Sequence, residues 1–141
     1  MDNVVQFLEG DRLAKLLGFK LVEVAPGYAL AKMEIKDVHL NAHSIAHGGL
    51  TYAFADYACS AAANSHGYVS LGVSSYIVYF MPPKGSELFA EAREVSNSNR
   101  RATYNVNVFD VKRNLVANFT GSIYVTNERI GTKTNISLKE P

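Results

Sequence analysis

A chain of 141 residues, 48% apolar and 19% charged, has the size and make-up of one globular domain with a real hydrophobic core. A net charge of +1 argues against a nucleic-acid binder, although clustered arginines can still meet a small anionic ligand. A lone cysteine excludes an internal disulfide and a zinc ribbon; with no apolar run long enough for a bilayer and no leader pattern at the N-terminus, the expectation is a soluble, unprocessed, cytoplasmic protein.

Residues 4–17 carry Val4, Phe7, Leu8, Leu13, Leu16 and Leu17 at helical spacing, with Gly18 where a cap would sit, and predict one short helix or two broken near Gly10-Asp11. Residues 20–25 and 28–35 flank Pro26-Gly27 and read as a β-hairpin. A loop over 36–46 delivers the one long helix signal. Gly48-Gly49 open it, an Ala-rich run from Leu50 to Asn64 forms it, and Gly67 closes it. Nearly apolar all round, that helix belongs in a core. Asp56 interrupts it with a single carboxylate, which needs either a partner, a task or a face that reaches solvent.

Beyond Gly67 the pattern turns to strands: 69–81, stopped by Pro82-Pro83-Lys84-Gly85, then 87–95, 102–110 and 115–125, with turns at 97–100 and 112–114. These four predict a meander, and residues 127–141 a loose tail after a single domain over 1–126. A run of strands beside one buried helix is an α+β layer architecture, an antiparallel sheet curled around the helix.

Asn41, His47-Gly48-Gly49, Asp56, Asn64-Ser-His-Gly67 and the strand end Tyr79-Phe-Met-Pro-Pro83 together resemble the hotdog-fold thioesterases of the phenylacetate-degradation type. The resemblance implies a long central helix wrapped by five to six strands, two subunits joined through a continuous sheet, and hydrolysis of an acyl-coenzyme A thioester with no cofactor beyond the coenzyme A of the substrate. It places the general base or nucleophile on Asp56 and the carbonyl-polarising amide on Gly48. Asn41 falls on the residue that places water or acyl group, and His47 on the one that supports the loop and helix start. A hydroxyl at the following strand aligns with Ser74, with Val73 and Ser75 as neighbours.

The chemistry agrees with those roles, since a helix N-terminal amide suits an oxyanion and glycine allows close approach, here at Gly48 and Gly49. Gly48 and Asp56 are eight residues apart, about 12 Å along one helix, so one thioester carbon cannot meet both from the same helix. The expectation is a homodimer with two shared sites; the resemblance implies that such dimers pair again as a dimer of dimers. Lys84, Arg100 and Arg101 are candidates for the phosphates of coenzyme A, or else solvated turn charges.

Other readings stay open. His39, His43 and His47, four apart, would make a metal ladder on a helix, but the segment reads as loop and the expectation is no metal. Cys59 reads as a small core residue, and Tyr52, Tyr57, Tyr76 and Tyr79 as pocket lining or sheet packing. A dehydratase or a non-catalytic acyl-CoA binder would use the same fold.

Overall fold

The computed structural model describes residues 1–131. Two short helices, α1 (Asp2–Leu8) and α2 (Arg12–Leu17), lead into the hairpin β1 (Lys20–Ala25) and β2 (Tyr28–Glu34). The break between the helices falls at Gly10-Asp11, where the Asp11 carboxylate accepts the Ala14 N–H at 2.9 Å and starts α2; Gly18, left-handed at φ 83°, ends it. A single 3-10 turn (Asp37–His39) and a loop then reach α3 (Gly48–Asn64), followed by β3 (Tyr68–Tyr79), β4 (Glu87–Ser98), β5 (Arg101–Asp110) and β6 (Leu115–Arg129).

All six strands form one antiparallel sheet in the order β1-β2-β4-β5-β6-β3. The expected four-strand meander is therefore corrected: β4-β5-β6 is a meander, but β3 leaves α3 at the far edge and pairs with β6, and the chain crosses back from Phe80 to reach β4. The last strand also runs past the expected boundary at 126, pairing Arg129 with Tyr68. The tail expected over 127–141 thus begins as strand, and its residues 132–141 lie outside the described ones.

The core lies between α3 and the inner face of the sheet. Phe54, Ala55, Ala58, Cys59, Ala61 and Ala62 of α3 are buried against Ala29, Ala31 and Met33 of β2, Leu88, Ala90 and Ala92 of β4, and Tyr104, Val106 and Val108 of β5. Alanine on both surfaces lets helix and sheet backbones approach closely, and the close contact sustains the curl of the sheet. The approach is close at Gly121, where an added Cβ would stand 2.8 Å from the Cys59 Sγ. This is the hotdog arrangement: one long helix inside one curved antiparallel sheet.

Because β3 is an edge strand, one side of it is unpaired along its whole length. Its apolar side chains are also open in the single chain, with Val73 64%, Tyr76 62% and Tyr79 50% exposed. A long apolar edge of this kind is a template for another strand.

Candidate active site

The start of α3 is built by the two residues that precede it in space. His47 is the N-cap, and its Nδ1 accepts the Gly49 N–H at 2.9 Å. A Cβ on Gly49 would stand 3.1 Å from that ring nitrogen, so glycine keeps the cap tight. Gly49, expected at the substrate, thus gives its own N–H to His47. Gly48 occupies the first helical position, whose N–H has no acceptor within a helix. Its carbonyl accepts the Tyr79 hydroxyl at 2.7 Å, and the Tyr79 ring lies 3.4 Å from where a Gly48 Cβ would be. The tip of α3 is therefore clamped to the C-terminal end of β3.

Asn41 shapes the loop in front. Its Oδ1 accepts the His43 N–H at 2.8 Å and the Ile45 N–H at 3.4 Å, which folds residues 41–45 into a tight turn leading to His47. The three histidines do not converge. His39 is buried, its Nδ1 accepting the Lys36 N–H and its Nε2 donating to the Leu17 carbonyl, while His43 is exposed and His47 caps the helix. Among the described residues no group of three or more His, Cys, Asp or Glu side chains is placed to hold a metal.

Two turns into α3, Asp56 borders a cavity of about 340 Å³ between the helix and the strands β3 and β6. Gly72, Val73, Ser74 and Ser75 form one wall, opened by a register shift in β3 between Gly72 and Ser74. Ser74 stands opposite Ser122, whereas Ser75 stands opposite Gly121 and its hydroxyl meets that of Tyr52, one turn before Asp56 on α3. Tyr52 packs edge-on against Phe119. The Asp56 side chain reaches solvent in the single chain, yet helix and cavity walls crowd its carboxylate. Burial, and then the negative charge of Asp11, raise its pKa above the usual aspartate value.

Cys59 shares this cavity but is not a nucleophile in waiting: burial and then the Asp56 charge push its thiol up to about 12. Tyr79 is likewise raised by burial and by Tyr52, so its hydroxyl remains a donor to Gly48 at neutral pH.

The three cationic candidates do not lie together. Arg100 and Arg101 end the β4-β5 hairpin, where Arg101 pairs with Tyr124 and Tyr124 with Leu71, close to the wall of the Asp56 cavity. Asn99 and Arg100 both adopt left-handed φ, 51° and 64°, the geometry of a two-residue hairpin turn. Lys84 lies just before the other end of β4, and its backbone N–H donates to Asp110. A strand of twelve residues separates the two ends, roughly 40 Å in an extended strand. Within one chain the structure therefore sets Lys84 apart from Arg100 and Arg101.

Tyr52 and Tyr79 had only their nearness to the motif to mark them; the four-residue step from Tyr52 to Asp56 puts both on one helix face, and that spacing was the available signal.

The fold agrees with the comparison to known families, in which residues 43–117 match the Thioesterase superfamily. The chain belongs to that superfamily. Within it, this is a PaaI-like hotdog thioesterase. It is 39% identical to the phenylacetic acid degradation protein PaaI of Thermus thermophilus, a mutant structure of which superposes with a TM-score of 0.77 over 81% of this chain and 98% of that one. Acyl-coenzyme A thioesterase PaaI of Escherichia coli is 28% identical over 84% of this chain and 86% of its own length; the E. coli PaaI structure superposes with a TM-score of 0.86, covering 91% and 94%. A protein of Streptococcus mutans solved bound to acetyl CoA is 26% identical, with a TM-score of 0.75 over 79% of this chain and 91% of that one.

Proposed function

We propose that the protein hydrolyses acyl-coenzyme A thioesters at sites shared between two subunits. The observation that carries this is the position of Asp56 at a serine-walled cavity, about 12 Å along α3 from the free Gly48 amide. Gly48 is clamped by Tyr79 to the C-terminal end of β3, while the Asp56 cavity is walled by residues from Ser70 to Ser75, toward the start and middle of that strand. Antiparallel pairing of two β3 edges lays the C-terminal half of one strand beside the N-terminal half of the other. Gly48 of one subunit then faces Asp56 of its partner.

The same pairing carries the Lys84 end of one subunit toward the Arg100 and Arg101 end of the other, so all three cations serve the coenzyme A phosphates from two chains.

In the reaction, the Asp56 carboxylate takes a proton from water as the water oxygen bonds to the thioester carbon. The carbonyl oxygen gathers the negative charge and is held by the Gly48 N–H at the positive end of α3. Collapse breaks the C–S bond, and the sulfur leaves with the proton that Asp56 holds. Direct attack by the carboxylate to give an anhydride uses the same placement. Asn41 and His47 hold the loop and cap that present Gly48, and Ser74, with Ser75 beside it, lies where a hydroxyl meets the acyl group or the water. Small-molecule acyl-CoA is the partner; the absence of a membrane-crossing helix among the described residues and a near-neutral charge suit a cytoplasmic enzyme.

Free-thiol release from short, long, branched and aromatic acyl-CoAs tests this. Turnover by the wild type with a loss of about a hundredfold or more in Asp56→Asn is the expected result. Binding of acyl-CoA without thiol release by either protein would instead make this a binding module with a structural Asp56.

A further inference from the structure

Asp56 borders a second cavity on the side away from β3, about 110 Å³ in volume, formed where α2 crosses α3. Its walls include Asp11, Leu13 and Phe19 on one side and Ala53, Tyr57 and Ser60 on the other. Two carboxylates therefore share one small space, and no lysine or arginine lines it.

Asp11 is exposed, and its carboxylate is tethered locally. Its Oδ1 is held by the Ala14 N–H at 2.9 Å as the N-cap of α2. The helix itself is pinned to α3 through Phe19, whose ring centroid lies 5.1 Å from that of Phe54 and 5.7 Å from that of Tyr57. Among the described residues, the lining of the larger cavity beside Asp56 holds no cation: Tyr52 and Cys59 come from its own helix, and β3 and β6 present serines, glycines, Val73, Phe119 and Ile123. Glu9, Lys15 and Lys20 lie beyond Asp11, lining the neighbouring cavity that α1, α2 and β1 enclose.

We propose that Asp11 belongs to the working site as a positioning residue, a fixed negative charge that makes Asp56 a stronger base. The inference rests on the hydrolytic role of Asp56 given above. A like charge across a small, partly desolvated space disfavours ionisation of its neighbour, so the neighbour binds a proton more readily when water is to be activated. Burial is the larger cause of the raised Asp56 pKa, and Asp11 is the second. Asp11 also lies outside residues 43–117, the part matching the superfamily, so the N-terminal helices of this chain add something to the site that the matched segment does not contain.

Asp11→Asn is the informative variant, because asparagine is as good an N-cap as aspartate and keeps α2 while removing the charge. The acid limb of kcat/KM against pH should move down by about half a pH unit or more, with the acyl-CoA KM little changed. The wild-type limb should also respond to added salt more than that of the variant. Carboxyl-carbon NMR of Asp56 should show the same downward shift without reference to turnover. An acid limb and an NMR titration that both stay in place, in a folded Asp11→Asn protein, would overturn the proposal. If Asp56→Asn keeps full activity, the catalytic reading fails instead, and with it the link to the base, while the NMR titration still reports the two carboxylates' interaction.

Discussion

Asp56 sets a local conflict between stability and chemistry. Its folded-state pKa is raised, so the group contributes most to folding below the unfolded aspartate value of about 3.9, and that contribution is lost as pH rises through the folded value. At neutral pH the ionised side chain therefore works against the fold. Asp56→Asn should melt about a degree or two above the wild type at pH 7, with the gap closing as the pH falls below 4; a variant that melts lower at pH 7 would show that the carboxylate is held by contacts that outweigh its crowding. The modest size reflects the solvent that reaches the side chain. At Arg100 a similar tension appears in the backbone, where a non-glycine residue holds a left-handed φ of 64° at a turn that glycine or asparagine would occupy with less strain.

Helix α3 does two jobs, filling the core and presenting the site, and the small residues on it serve both. Its composition made the helix, its Gly-Gly start and its burial legible in the sequence, because alanine spacing and glycine punctuation are local signals. The contact it makes with β6 was not legible, since nothing near Gly121 in sequence indicates that the Cys59 Sγ occupies the space of its missing side chain. Gly121→Ala should lower stability by about 1–3 kcal/mol in denaturant titrations, the ordinary consequence of overpacking a buried contact. Trimming the other side with Cys59→Ala should recover much of that loss in the double variant. Additive losses in the two variants would mean the clash is absorbed elsewhere. The pairings of Tyr79 with Gly48 and of Tyr52 with Ser75 were equally hidden: each joins residues far apart in the chain through a strand whose neighbour in the sheet local pattern does not specify.

At the scale of the molecule, the hairpins were legible from Pro26-Gly27 and the turns at 97–100 and 112–114, whereas the position of β3 was not. Four strands in succession favour a meander, but the strand leaving a helix buried in a curled sheet emerges at the far edge and must cross back, and only the closed packing shows this. That crossing has a functional consequence. It leaves one edge of the long apolar β3 unpaired, with Gly48 clamped near its C-terminal end and the Asp56 cavity walled by residues from Ser70 to Ser75, and under the proposed function two chains bring amide and carboxylate to one thioester. Under the proposed function, pairing along the same edge would bring turn cations from opposite ends of β4 to one ligand. The direct test is subunit complementation between Asp56→Asn and Gly48→Pro. Proline removes the Gly48 N–H yet suits the first position of a helix, and His47, with ψ 134°, already has the extended backbone that precedes proline. Each variant alone should be nearly inactive. When the two are mixed and allowed to exchange subunits, half of the dimers carry one intact site, and roughly a quarter of the wild-type rate of thiol release should return. A mixture that exchanges subunits, as followed by mass, and remains at background would place both groups in the same subunit and contradict the shared site.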